Sequence, residues 1–117
     1  MKYSLLVVLL LTFNSCSLFS SLNSTTTIKP QDSFILGNNE HGTAKVVLQN
    51  ISNKDIEVYQ APITGGKHSS QMVKPNETVT VKVEKNTALY ISNASNDTVN
   101  VKLKVTGDLG LSMGYKN

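Results

Sequence analysis

The chain has 117 residues, of which 39% are hydrophobic and 16% charged, and this length allows one domain. All its basic residues other than histidine are lysines, and the formal net charge is +3. Arginine is the side chain that most often binds guanine or phosphate in a bidentate manner, and these lysines are scattered along the sequence. We therefore expect no nucleic-acid binding. The only cysteine, Cys16, excludes an internal disulfide, so packing and backbone hydrogen bonds must hold the domain together.

The N-terminus carries a short apolar segment. Lys2 precedes the run LLVVLLLTF at residues 5–13. A membrane-spanning helix requires about 20 apolar residues, and this run is roughly half as long. It fits the apolar region of a secretory signal peptide, which we expect over residues 1–15.

The next residues, FNSC at positions 13–16, resemble the lipobox of bacterial lipoproteins. The lipobox consists of an aliphatic residue, two small residues and an obligatory cysteine. Phe13 stands in for the usual leucine, and Asn14 departs from the usual alanine or serine. The resemblance covers residues 2–17. It implies a diacylglyceryl thioether on Cys16 and, after cleavage, a third acyl chain on the amine of that residue.

The lipid implied for Cys16 would attach the protein to a membrane. One acyl chain binds a bilayer weakly and reversibly, whereas two or three chains on one residue form a durable anchor. Ser17, and not aspartate, follows the cysteine, which in the enterobacterial sorting pattern implies transfer to the outer membrane. We expect a lipid-anchored protein of the cell envelope. The alternative is an ordinary secretory signal, cleaved for example after Ser17.

The segment after the cysteine, residues 17–33, is rich in serine and threonine and lacks a sustained helix or strand periodicity. We interpret residues 16–33 as the lipidated cysteine and a flexible tether that spans about 20–25 Å. The folded domain is then expected over residues 34–117.

From residue 34 onward, apolar and polar side chains alternate with a period of two, as in half-buried strands. The clearest segments are TAKVVLQNI at 43–51, ETVTVKVEK at 77–85 and DTVNVKLKVTG at 97–107. The segment TGGK at 64–67 supplies residues suited to a tight turn. Short strands at spacings of about 8–12 residues predict an all-β fold. We expect a small antiparallel β-sandwich of about six to eight strands, immunoglobulin-like in style, with a small β-barrel as the alternative.

Two segments of the sequence resemble each other. LQNISNKDIEV at residues 48–58 and ISNASNDTVNV at residues 91–101 share the order apolar-x-Asn-x-Ser-Asn, followed by two alternating apolar residues. One explanation is turn chemistry, since asparagine and serine side chains bond to neighbouring backbone groups and mark strand–turn–strand corners. The other is a duplicated half-sandwich with the two corners at equivalent places.

The sequence contains few residues in patterns typical of catalysis or metal binding. His41 and His68 lie in predicted loops, and a zinc site would require them to converge with acids such as Glu40 and Asp108. The sequence has no Gly-x-Ser-x-Gly elbow, no paired acids and no phosphate-binding glycine loop. We expect no metal, no cofactor other than the covalent lipid on Cys16, and no enzymatic activity.

These observations favour a non-catalytic binding or structural module with a protein or glycan partner in the envelope. Tyr59 and Tyr90 lie on predicted polar strand faces, where tyrosine is typical of contact surfaces, although packing under loops would explain them equally well. The segment APITGGKHSSQM at residues 61–72 is the longest predicted polar loop. Its residues Thr64, Gly65, Gly66, Lys67 and His68 are further candidate contacts. The alternatives are an inhibitor or assembly accessory of a secreted protein and, third, a small envelope hydrolase.

Overall fold

The computed structural model describes residues 21–37, 42–107 and 112–116. This part of the chain contains no helix and forms nine strands. In chain order they are β1 (Leu22–Ile28), β2 (Asp32–Leu36), β3 (Ala44–Asn50), β4 (Ile56–Pro62), β5 (His68–Val73), β6 (Thr78–Val83), β7 (Thr87–Asn93), β8 (Val99–Gly107) and β9 (Met113–Tyr115).

The strands form two antiparallel sheets. Sheet A has the order β1-β8-β3-β6, and sheet B has the order β5-β4-β7-β2-β9. The prediction of an all-β sandwich is confirmed, and the alternative of a closed barrel is wrong, because the described strands form two separate sheets.

Four of the strand pairs join a strand from the first half of the chain to one from the second half, working inward from the ends. Strand β1 pairs with β8, β2 with β7, β3 with β6 and β4 with β5, so the chain is arranged as one long hairpin folded back on itself. This is the jelly-roll topology, in which two Greek keys build an eight-stranded sandwich. The expected immunoglobulin-like strand order is therefore wrong. In the immunoglobulin fold, strands one, two, five and four form one sheet, and strands three, six and seven form the other.

The core lies between the two sheets. Strands β3 and β8 alternate buried and more exposed residues along their length, because one face of each packs inward and the other faces solvent. The largest fully buried side chains come from both sheets: Ile28, Leu36, Leu48, Ile56, Leu89 and Ile91. A continuous apolar cluster of this kind is the main source of stability in a domain without disulfides.

The predicted tether is wrong over most of its length. Residues 22–28 form β1, an edge strand of sheet A that pairs along its whole length with β8, and residues 32–33 open β2. Ile28 is fully buried, and the side chain of Thr26 is nearly so. The folded domain therefore includes residues 22–33 and does not begin at residue 34. Residues 17–21 of the predicted tether precede the first strand of the described part of the chain.

The last strand closes one edge of sheet B. Strand β9 pairs with β2, and the ring of Tyr115 packs edge-on against Phe34 at a centroid distance of 5.4 Å. The Tyr115 hydroxyl donates a hydrogen bond of 2.8 Å to the backbone carbonyl of Thr27, in the opposite sheet. The Tyr115 side chain therefore connects β9, at the edge of sheet B, to β1, at the edge of sheet A.

The two similar sequence segments form equivalent corners. Asn50 is fully buried, and its Nδ2 donates to the carbonyl oxygens of Lys54 (2.6 Å) and Val73 (3.0 Å). Its Oδ1 accepts hydrogen bonds from the backbone N–H (3.0 Å) and the hydroxyl (2.6 Å) of Ser52. One side chain therefore fixes the whole turn from β3 in sheet A to β4 in sheet B.

Asn93 makes an equivalent set of bonds, with one additional acceptor, in the turn from β7 to β8. Its Nδ2 donates to the carbonyl oxygens of Asp97 (2.7 Å), Ile28 (3.1 Å) and Lys29 (3.1 Å). Its Oδ1 accepts from the N–H (3.0 Å) and hydroxyl (2.6 Å) of Ser95. This turn runs from sheet B back to sheet A, so the turn chemistry is confirmed and the two corners occupy equivalent places in the two halves of the sandwich.

Candidate binding surfaces

The outer face of sheet B carries a cluster of aromatic and charged side chains, which we call the tyrosine cluster: Tyr59, Tyr90, Lys67, Glu57 and Ser70. Tyr59 and Tyr90 are direct cross-strand neighbours on β4 and β7. Their rings stack at a centroid distance of 4.9 Å and an interplanar angle of 12°. The ammonium of Lys67 lies 4.5 Å from the centroid of the Tyr59 ring, a cation–π distance. The structure thus brings together three of the residues that the sequence singled out.

Lys67 is held over the tyrosine ring by Glu57. The Lys67 Nζ lies 2.8 Å from a carboxylate oxygen of Glu57, and the Ser70 hydroxyl donates to the same oxygen. These hydrogen bonds, that from Lys67 first and that from Ser70 second, lower the pKa of Glu57 below its ordinary value. The carboxylate therefore stays ionised at mildly acidic pH and keeps Lys67 in place.

Replacing Glu57 with Gln will remove a small part of the acid sensitivity of the fold. Because the folded-state pKa is lowered, ionised Glu57 stabilises the protein above its unfolded-state pKa, and this contribution is lost as the pH falls through the folded-state pKa. We expect Glu57→Gln to lower the free energy of unfolding at neutral pH by at most about 1 kcal/mol, since the ion pair is partly exposed. Urea titrations at neutral pH and at a pH below the ordinary pKa of 4.5 should show a smaller difference at the lower pH. An equal difference at both pH values would contradict the assignment, and Asp55→Asn, at an exposed carboxylate, is the control.

A tight turn at residues 63–67 lies beside the tyrosine cluster. Gly65 and Gly66 have φ angles of 101° and 94°, values that side chains with a Cβ rarely adopt, as the sequence predicted for this turn. The predicted loop over residues 61–72 is wrong in extent, because β5 begins at His68. Strand β5 was not predicted because it is an edge strand in which only Val73 is buried, so its side chains lack the alternation of a half-buried strand.

The predicted site residues of this turn differ in their surroundings. Thr64 and His68 are exposed, and a Cβ on Gly66 would lie 3.1 Å from the Nε2 of His68, so the imidazole packs across that glycine. His41, Glu40 and Asp108, the other members of the hypothetical zinc site, lie outside the described residues, as does the lipidation candidate Cys16. Within the described ranges, no three His, Cys, Asp or Glu side chains come together in a way that could hold a metal ion.

The outer face of sheet A carries a second candidate surface, which we call the lysine face: Lys45, Lys82, Lys102 and Lys104. All of these side chains are exposed. Lys45 and Lys82 are direct neighbours on β3 and β6, and Lys104 and Lys102 lie two residues apart on the adjoining β8. No Asp or Glu occurs within the four strands of this sheet. Four positive charges therefore share one face without an intervening carboxylate.

A shallow groove of about 430 Å³ crosses the lysine face from β1 to β6. Its lining includes Lys102, Lys104 and the apolar Val47, together with polar side chains that can donate and accept hydrogen bonds: Asn23, Thr25, Gln49 and Thr78. This surface was missed by sequence reasoning, which treated the lysines as scattered. The alternation in each strand does predict which lysines face outward, but only the strand order places β8 between β1 and β3.

Comparisons with known proteins bear on the fold alone. The sequence matches no protein-family description and no curated protein at a significant level. Among solved structures, the chain is similar to procruciferin, an 11S globulin from Brassica napus, with a TM-score of 0.53 and 9% identity over 81% of this chain and 22% of that one.

Two further solved structures show the same architecture. One comes from the DMSP lyases RdDddP and RnDddQII, with a TM-score of 0.50 and 12% identity over 81% of this chain and 43% of that one. The other is the Yersinia pseudotuberculosis-derived mitogen, with a TM-score of 0.52 and 17% identity, and it is matched over 80% of this chain and 95% of its own. The chain thus spans less than half of the globulin and lyase chains and nearly all of the mitogen.

None of the described residues forms a helix with the length and apolar character that a membrane span requires.

Proposed function

We propose that this protein is a lipid-anchored, non-catalytic binding module of the bacterial cell envelope that contacts a protein partner through the tyrosine cluster. The observation that carries the proposal is the ordered stack of Lys67, Tyr59 and Tyr90 on the outer face of sheet B. Aromatic side chains with an adjacent cation are typical of the few residues that dominate binding energy in protein interfaces.

The cluster is already ordered before a partner arrives. Each ring is held by its neighbour, and Lys67 is held by Glu57 and the Tyr59 ring. Binding a partner therefore requires little further loss of side-chain freedom, which favours affinity. Two large apolar side chains near the cluster, Ile63 and Met72, are 63% and 55% exposed and would lose that exposure in a complex.

A second candidate function is inhibition of a secreted protein through the turn at residues 63–67. The observation that favours it is the geometry of this turn. It is rigidified by hydrogen bonds from Ile63 N–H to the Asn86 carbonyl (3.0 Å) and from Gly65 N–H to the Pro62 carbonyl (2.8 Å), and it presents Ile63 and Lys67. Inhibitors commonly present one rigid loop of this kind. In both functions the contact surface is the same end of sheet B.

The anchor is supported by the sequence at residues 13–16, and the position of β1 limits its reach. Residues 17–21 separate Cys16 from β1. Six Cα-to-Cα steps span about 20 Å when fully extended. A lipid on Cys16 would therefore hold the sandwich close to the membrane surface, nearer than the predicted longer tether would.

Replacing Cys16 with Ser will move the protein from the membrane fraction to the soluble fraction. Without the thiol, no thioether can form, and about 0.8 kcal/mol of bilayer affinity is lost for each methylene that would have been buried. Metabolic labelling with a palmitate analogue and mass spectrometry of the mature N-terminus measure this directly. Ser20→Ala, within the same segment, should leave labelling and fractionation unchanged. A labelled or membrane-bound Cys16→Ser protein would contradict the proposal.

The partner surface is tested by cross-linking in intact cells. A photoreactive residue at Tyr90 should form a defined adduct with an envelope protein, whereas one at Thr25, on the opposite face, should not. Tyr59→Ala should weaken binding to the identified partner by about tenfold or more, because interface tyrosines at such positions commonly contribute at least 1.4 kcal/mol. Tyr90→Phe should retain binding if the ring, and not the hydroxyl, makes the contact. Loss of binding with Lys104→Gln and not with Tyr59→Ala would contradict this assignment.

Replacing residues 63–67 with another tight turn distinguishes the two functions. If the protein is an inhibitor, replacing this turn restores the activity of the captured protein. Under simple binding, its activity is the same with the replaced turn as with the native one.

A further inference from the structure

We propose that the lysine face docks on the anionic headgroups of the lipid bilayer to which the protein is anchored, and so directs sheet B and its tyrosine cluster away from the membrane. The inference rests on the lipid anchor of the proposed function. It adds an orientation and a ligand, the anionic phospholipid surface, that the anchor alone does not specify.

The first argument is charge. Sheet A contains Lys45, Lys82, Lys102 and Lys104 and no Asp or Glu within its strands, and all four lysines are exposed on its outer face. Because neighbouring strands of one sheet carry these lysines, their ammonium groups can contact a flat surface at the same time. Lysines close to an anionic membrane each add attraction that falls off within a Debye length, so several on one face act together.

The second argument is position. Leu22, the first residue of β1, pairs with Val105. The lysines occupy three consecutive rows of the sheet that begin at this end: Lys45 beside Lys82, then Lys104 beside Asn23, then Lys102 beside Thr25. The row farthest from it contains Thr27 and Asn100 and no lysine. On the outer face of sheet A, the lysines therefore lie toward the end from which the chain runs back to Cys16.

The third argument is proximity. Because residues 17–21 can span only about 20 Å, the anchored end of sheet A cannot move far from the headgroups. Leu22 at this corner is 36% exposed, an apolar side chain next to the lysines. Membrane attachment by acyl chains together with a basic patch is a recurrent combination, since each signal strengthens the other.

Besides an anionic bilayer, the lysine face with its groove could bind an acidic polysaccharide. Its binding would not require lysines to be concentrated at the anchored end, whereas docking on the bilayer does. Nucleic acid is disfavoured by the absence of arginine. The observations therefore favour the bilayer.

The test uses the processed, lipidated full chain in vesicles, after its N-terminal mass has been verified. With Cys16 blocked by lipid, a single fluorophore can be attached at Thr80→Cys on the lysine face or at Met72→Cys on the outer face of sheet B, both exposed positions. Quenching by headgroup-labelled lipid is measured in phosphatidylcholine vesicles with and without phosphatidylglycerol, at low and at high salt. We expect strong quenching at Thr80→Cys only with phosphatidylglycerol and low salt, and weak quenching at Met72→Cys throughout.

The four lysines are tested as a set. Replacing Lys45, Lys82, Lys102 and Lys104 with Gln should reduce the ratio of docked to undocked protein by about fivefold per lysine. A matched control replaces four exposed lysines elsewhere, which are Lys29, Lys74, Lys85 and Lys116. The control should change the ratio much less, although it removes the same net charge.

The outcomes separate the two proposals. Vesicle association without any dependence of Thr80→Cys quenching on phosphatidylglycerol would overturn docking and leave the anchor intact. Failure to associate with either vesicle would overturn the anchor and, with it, the docking. A third result would overturn docking in favour of a polysaccharide. In that result, alginate without vesicles shields the Thr80→Cys fluorophore, the Gln variant loses this shielding, and vesicles give no shielding.

Discussion

Replacing Asn50 with Ala will lower the free energy of unfolding by about 3 kcal/mol, and Asn93→Ala will have an effect of similar size. Each side chain is at least 99% buried and satisfies both carbonyl and N–H groups of a turn between the sheets. Alanine removes these bonds and leaves the Val73 or Ile28 carbonyl oxygen buried without this donor. Buried polar groups that lose a partner cost far more than exposed ones.

Asn53→Ala is the matched control, since Asn53 lies in the same turn and is exposed. We expect its effect to stay within about 0.5 kcal/mol. Chemical denaturation of the variants measures all of these values. Equal effects of Asn50→Ala and Asn53→Ala would show that the amide bonds do not hold the corner. Because the two corners share the Lys54–Asp97 ion pair of 3.4 Å, the double variant Asn50→Ala/Asn93→Ala also reports whether they are coupled.

Ile28→Ala will destabilise the protein by about 2–5 kcal/mol, the range for truncating a large buried aliphatic side chain. Ile28 is fully buried at the end of β1. If residues 16–33 were a tether, the substitution would have no effect on stability, so the experiment decides between a strand and a flexible segment. Thr25→Ala, at an exposed position of the same strand, is the control and should have an effect of less than about 1 kcal/mol.

Strand β1 could not be recognised from its sequence because two of its inward positions, Ser24 and Thr26, are polar. Ser24 and Thr26 alternate with outward threonines, so the period-two pattern contains hydroxyls on both faces. The hydroxyls of Ser24 and Thr26 lie 3.1 Å apart and share one hydrogen bond, which offsets part of the cost of placing these polar groups on the inner face. In contrast, β8 alternates valine and leucine with lysine, and its location and inward face were predictable.

The candidate surfaces were predictable to different degrees. Tyr59 and Tyr90 were identified from the alternation of their strands, but their stacking depends on the register of β4 against β7. The lysine face required the strand order, because Lys45 and Lys82 are 37 residues apart in sequence and adjacent in the sheet. Local pattern determines which way a side chain points, whereas long-range pairing determines its neighbours.

The order of strand pairing has a consequence for biosynthesis. The first strand, β1, has the eighth as its partner, so Leu22 meets Val105 only after almost the whole chain has been made. Such distant pairings raise the contact order, and high contact order slows folding because long loops must close first. Strand β1 therefore remains unpaired until nearly the end of translation. Under the proposed function, this delay leaves the chain unfolded for export and lipidation before the sandwich closes.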